Sequence, residues 1–190
     1  MTPTDPAIQA AEDSATIVNY LADLGLSDVN SVLESGVHYA VLDSGQSNTI
    51  DESDIVTFHY TGKLLSDTIF DTTIKEIADS IRVLVQEDTI GVDPTLIQSS
   101  LLLSFSEDRS YSPIQYTYSA SGWTLSTSGF IDGFNDGVSA SLNGLRVGGK
   151  SLIVIPSAEA YGTRGSGALI GPNTVIAFEL DVVEVVKQGE

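Results

Sequence analysis

Two long runs of strand-type residues with a period of two dominate this chain. Ile55-Val56-Thr57-Phe58-His59-Tyr60-Thr61-Gly62-Lys63-Leu64 is rich in β-branched and aromatic side chains. Thr174 to Val186 alternates at Val175, Ala177 or Phe178, Leu180, Val182 and Val185. Period two sends successive side chains to opposite faces of a sheet. Shorter runs of the same kind lie at His38–Leu42, Ile69–Thr73, Ile114–Tyr118 and Ser151–Pro156, separated by turn signals such as Asp43-Ser44-Gly45 and Val147-Gly148-Gly149-Lys150. Ser119 to Gly129 reads as a hairpin or loop.

Helical spacing is confined to three places. After a disordered lead at residues 1–5, apolar residues recur from Pro6 to Leu24, with Asp5 as cap, Pro6 in the first turn and Gly25 as terminator. Within 75–112, Ile77, Ile81, Leu84 and Val85 fit a helix, Asp93-Pro94 starts a second that includes Leu101-Leu102-Leu103, and Glu107-Asp108-Arg109-Ser110 is a polar exit. Phe134, Val138, Leu142 and Leu145 share one face of a short helix over 135–145. The fold class is α+β: an antiparallel β-sheet packed on one short helix. Residues 1–36 form an N-terminal helical lead, and a domain at 37–187 is interrupted by a helical insertion at 75–112. The insertion is expected to be peripheral to the core, because loop closure costs only about 0.6 kcal/mol per doubling of length.

Composition narrows the chemistry. Eight basic against 26 acidic residues give a net charge of −18, which opposes binding to phosphate backbones or anionic lipid. The chain has no cysteine and two histidines, His38 and His59, which argues against disulfides, thiolate metal sites and multi-histidine metal centres. No metal and no cofactor is expected. His59, flanked by inward Phe58 and Tyr60, is expected at the surface. The amino terminus, Met1-Thr2-Pro3-Thr4-Asp5, is polar and acidic, unlike a signal peptide.

Four segments occur together in order: Val56-Thr57-Phe58-His59-Tyr60-Thr61-Gly62, Ile69-Phe70-Asp71-Thr72, Phe130-Ile131-Asp132-Gly133-Phe134-Asn135-Asp136-Gly137, and Ile155-Pro156-Ser157-Ala158-Glu159-Ala160-Tyr161-Gly162 running through Ile170-Gly171-Pro172-Asn173-Thr174 to Phe178-Glu179-Leu180. With Val147-Gly148-Gly149-Lys150 between helix and strand, they closely resemble FKBP-type peptidyl-prolyl cis-trans isomerases over residues 37–74 and 113–187. The resemblance implies a sheet half-wrapped around one short helix, with an apolar pocket between them. It implies Tyr60, Asp71, Tyr161 and Ile131 as catalytic residues, with Phe70, Ile114, Phe130, Phe134, Ile170 and Phe178 binding substrate. Its partners would be proline-containing polypeptides and macrolide inhibitors. Three departures stand out. Phe134 replaces the usual tryptophan floor, Ile114 stands where an aromatic is common, and the connection from Asp71 to Ile114 is long. The first two imply a smaller or differently shaped pocket. Thr73-Ile74-Lys75-Glu76-Ile77-Ala78, with the helical lead, looks like the envelope-anchored isomerases of Gram-negative bacteria of the Bacteroides type. That resemblance implies a periplasmic site of action and a removed lipoprotein leader.

The residues themselves suit such a task. Twisting an X-Pro amide breaks no bond but crosses a barrier of about 18–20 kcal/mol. A dry apolar pocket favours the twisted amide, which has less charge separation, and preorganised donors can add to the preference. Each residue also has an ordinary structural reading. Tyr60, Phe70, Phe134 and Phe178 fit as core, Asp71 fits an Asx turn, Tyr161 fits as a ring stacked on its loop, and Ile131 fits simple burial. Two rival functions follow: a low-activity binding module with 75–112 as contact surface, and a chaperone using the same segment.

Overall fold

The computed structural model describes residues 5–46, 49–51, 53–86, 105–119, 122–125 and 131–188. Eight strands form one antiparallel sheet: β1 (Asn30–Val32), β2 (His38–Asp43), β3 (Ile55–Leu64), β4 (Ile69–Thr72), β5 (Ile114–Ser119), β6 (Gly122–Leu125), β7 (Lys150–Ile155) and β8 (Ile176–Val186). Their order is β1-β2-β7-β8-β3-β5-β6, and β4 also pairs with β3. The register of β3 on β8 runs from Ile55 opposite Val186 to Leu64 opposite Ile176. The two long runs of the sequence are therefore neighbours along their whole length. On its other edge β3 changes partner: residues 55–58 pair with β5 and residues 61–63 with β4. Tyr60 lies at the changeover.

Alternation decides the faces. Val56, Phe58 and Tyr60 of β3, with Phe178, Leu180 and Val182 of β8, point to one side and pack with Phe134, Val138 and Leu142 of helix α3 (Asp132–Leu142). On the opposite side, Leu152, Val154, Val175 and Ala177 are covered by Ile17 and Leu21 of α1 (Pro6–Asp23). Strand β7 is thus buried on both faces, which explains its unbroken apolar run. The α1 termini follow the expected chemistry: the Asp5 carboxylate accepts from the Ala7 N–H at 2.9 Å, Pro6 opens the first turn, and Gly25 adopts a φ of 71° beyond the end.

Helix α3 begins three residues earlier than its apolar spacing suggests. Gly133 and Gly137 both lie inside the helix and let it sit close on β7. A Cβ at Gly133 would fall 2.4 Å from Ile155 Cγ2, and one at Gly137 2.3 Å from Ile153 Cγ2.

The lead 1–36 is not helical throughout, because Asn30–Val32 joins the sheet beside β2. A three-residue strand is too short to show a period. The insertion opens with α2 (Lys75–Gln86), and its buried Ala78 and Phe105 form a small cluster with Ile69, Ile81, Tyr111 and Leu169. The helix expected from Asp93-Pro94 lies outside the described residues, as does most of the Ser119–Gly129 connection beyond β6. His59 is half-buried rather than on the surface, its Nδ1 3.0 Å from Thr73 Oγ1.

Gly137→Ala tests the close approach of helix to strand. Overpacking costs about 1–3 kcal/mol, more than the roughly 0.5–1 kcal/mol that alanine returns in a helix. The urea midpoint of Gly137→Ala should fall below wild type; an unchanged or higher midpoint would mean that α3 has room to spare.

Candidate active site

The site lies where β3 changes partner. Tyr60 projects to the core side with its ring 3% exposed, and its hydroxyl donates to Asp71 Oδ2 at 2.7 Å. The register brings Asp71 opposite Gly62, so tyrosine and carboxylate come from adjacent strands. Asp71 Oδ1 lies 2.6 Å from Arg109 Nη2, and the guanidinium carbon sits 5.6 Å from the centre of the Tyr111 ring. A carboxylate held between a phenol and a guanidinium is fixed in direction.

Beneath this polar group lies a layer of rings. Phe134 and Phe178 meet edge to face at 4.7 Å between centroids, Tyr60 contacts both at 5.6 and 5.8 Å, and Phe70 stands at 90° to Phe178 at 5.7 Å. Edge-to-face rings are favoured by the aromatic quadrupole. Gly62 makes the layer possible: a Cβ there would stand 2.7 Å from both Phe70 and Phe178.

Above the rings is a hollow of about 250 Å³ lined by Phe70, Asp71, Arg109, Tyr161 and the loop Ser166–Ile170. The loop is held by a two-way bridge between Ser166 and Ile170, at 2.7 and 3.1 Å. Tyr161 also borders a second, more open hollow formed by 158 and 160–165. Among the residues that the sequence suggested, Phe70, Asp71, Tyr161 and Ile170 line the hollow directly. Tyr60 reaches it through Asp71, and Phe134 and Phe178 support it from below. Ile114 and Ile131 are half-buried against the core without lining it. Ile131 stands at the amino-terminal boundary of α3, where its carbonyl accepts from Phe134 N and Asn135 N. Phe130 lies outside the described residues. The long connection supplies Arg109, which composition and spacing passed over as part of a polar exit. Its partner is 38 positions away (109 − 71), so no local pattern marks it. Ser166–Leu169, likewise missed, carry no side-chain signature.

The Asp71 side chain pairs with Tyr60 on one oxygen and Arg109 on the other. Among the described residues no cluster of His, Asp or Glu is arranged to hold a metal ion.

The family model for FKBP-type peptidyl-prolyl cis-trans isomerases matches residues 114–183. Within 114–183 the chain is thus similar to the FKBP-type isomerase family. Two curated relatives are the FKBP-type 22 kDa peptidyl-prolyl cis-trans isomerase of Escherichia coli and the outer membrane protein MIP of Legionella longbeachae. The first is 24% identical over 168 residues, covering 88% of this chain and 59% of the relative. The second is 26% identical over 156 residues, covering 82% and 47%. The chain thus spans about half the length of these relatives. The crystal structure of FkpA from Escherichia coli superposes with a TM-score of 0.50 at 22% identity, over 94% of this chain and 62% of that one. At that identity the likeness concerns the fold. Arg109 reaches this site from the end of the insertion.

Burial acts on both tyrosines of the site. Desolvation, and then the charge of Asp71, raise the Tyr60 hydroxyl far above its ordinary value, and the same two causes raise Tyr161. Both hydroxyls therefore hold their protons to higher pH than an ordinary tyrosine, whose value is about 10. Stability follows the same sign: the folded state favours the neutral phenol, so this contribution is complete below pH 10 and is lost as pH rises above it towards the folded values. If these hydroxyls donate to substrate, any tyrosine-dependent fall in kcat/KM measured by exchange spectroscopy should have its midpoint above pH 10. A tyrosine-dependent inflection below pH 10 would contradict the burial argument.

Proposed function

We propose that this chain catalyses cis–trans isomerisation of X-Pro bonds in polypeptides. The observation that carries the reading is the Tyr60–Asp71–Arg109 group set beside Tyr161 over a floor of packed aromatic rings. Bond rotation needs neither an activated nucleophile nor a metal ion. The proline ring would enter the hollow above Phe70 and Phe178. Removed from water, the planar amide loses solvation of its separated charge, and the barrier to rotation falls. Tyr161 would donate to a substrate carbonyl. Asp71, held by Tyr60 and Arg109, would present a fixed negative potential to the rotating amide. The apolar surroundings favour an apolar residue before proline. A macrolide filling the same hollow would compete with peptide. The likeness to an outer membrane protein supports a site of action in the bacterial envelope, assisting the folding of proteins there. Among the described residues no helix is long and apolar enough to cross a membrane.

A second reading, a chaperone-type contact through the insertion, has Val83 on its side, 51% exposed on α2. Val83→Asp should reduce suppression of aggregation while leaving peptide isomerisation unchanged, if that reading holds.

The main reading is tested by two substitutions assayed with a proline tetrapeptide. A neutral hydrogen bond contributes roughly 0.5–1.5 kcal/mol, so Tyr161→Phe should lower kcat/KM by about threefold to tenfold. Asp71→Asn keeps an acceptor for Tyr60 but removes the charge. It should cost about tenfold or more, in line with the roughly 1.5–3 kcal/mol of a charged hydrogen bond. Its Tm should stay within about 2–4 °C, the shift for 1 kcal/mol in a domain this size. Chelator should change nothing. Undiminished activity in both variants would show that catalysis, if present, occurs elsewhere.

A further inference from the structure

Helix α1 precedes the segment that resembles the isomerase family, yet it reaches the loop that carries Tyr161. Its buried stripe contains one carboxylate, Asp13, 3% exposed beside Ile17 and Leu21. A buried carboxylate is costly unless donors surround it. Three do so here. Gln9 Nε2 donates to Oδ1 at 2.8 Å, and Ser157 donates to Oδ2 twice, from its backbone N–H at 2.8 Å and its hydroxyl at 2.6 Å. The last two contacts join positions 144 residues apart. Ser157 is itself 1% exposed and opens a 3-10 turn at Ser157–Glu159. The turn's own bonds, Glu159 N to Pro156 O and Ala160 N to Ser157 O, leave both Ser157 donors to Asp13.

Three residues separate Ser157 from Tyr161. A second 3-10 turn, Gly162–Arg164, follows at once, and Asn173 N closes back on Gly162 O at 2.8 Å. On its other side the first turn rests on α3, where a Cβ at Gly133 would fall 2.8 Å from the Glu159 carbonyl oxygen. The stretch from Ser157 to Gly162 is therefore held at both ends and pressed between α1 and α3, with little freedom to absorb a displacement at Ser157. We propose that Asp13 is a positioning residue for Tyr161: through Ser157, helix α1 braces the loop that sets the Tyr161 hydroxyl against the hollow beside Asp71. This rests on the role proposed above for Tyr161.

The test is a double-mutant cycle on the full chain, well below Tm, reading kcat/KM per folded molecule. Asp13→Ala should lose about threefold to tenfold, as Tyr161→Phe does. The double variant should lose no more than the worse single one, because both act through one hydroxyl. Asp13→Asn should restore activity to within about twofold of wild type, since its amide oxygen can accept from both Ser157 donors and its amide group can face a flipped Gln9. Multiplying losses, or no rescue by asparagine, would overturn the proposal, because a role in general stability adds to the loss of Tyr161 and does not pass through it. Hydrogen exchange gives a readout independent of activity. In Asp13→Ala the amides of 157–165 should exchange faster while α3 and the β3–β8 pair stay as in wild type; a uniform rise across the domain overturns the brace. If wild type shows no isomerase activity at all, the proposed function fails, and the exchange pattern still decides whether Asp13 holds the loop.

Discussion

Everything else in this domain is arranged around the pairing of β3 with β8. It joins residues 55–64 to 176–186, so the chain must bring together segments more than a hundred residues apart before its largest apolar surface can form. Both strands turn alternate side chains towards α3. The same pairing puts Phe178 opposite Gly62, and from there the aromatic layer and the placement of Tyr60 follow. Non-local pairing of this kind is slow to form because loop closure precedes its reward.

The functional group built on this frame is economical in charge. In a chain of net charge −18, the carboxylate at the hollow is one that a guanidinium balances. Partial burial then makes a short contact to a phenol worth more than it would be in water. The rings below do two things at once. They close the core of the domain, and they supply the dry surface on which an amide could lose its solvation. Stability and the proposed activity therefore share residues here, and only the polar atoms above the rings separate the two.

Much of this was legible in the residues. The long strands announced themselves by period, α1 by its cap and terminator, and the pocket aromatics by their place in ordered motifs. Helix α3 was displaced by three residues because Gly133 is a poor helix residue when read alone; its reason is the approach of β7, which no local window contains. Arg109 was invisible for a similar reason: one arginine in an acidic stretch has no meaning until Asp71 is known to face it. Asp13 was hidden by its type, since a carboxylate on a helix is normally read as solvated. Each miss is a residue whose purpose lies across the fold.

The partner change along β3 has one further consequence. Since β4 leaves the edge where β5 has yet to arrive, the chain between them exits and returns beside the carboxylate whatever its length. Natural variation can lengthen or shorten that excursion at a logarithmic cost in chain entropy, provided the returning end delivers a cation to the same spot. The edge of β3 thus acts as a port for graftable segments. It lets one rigid frame acquire new rims without disturbing the sheet that gives it shape.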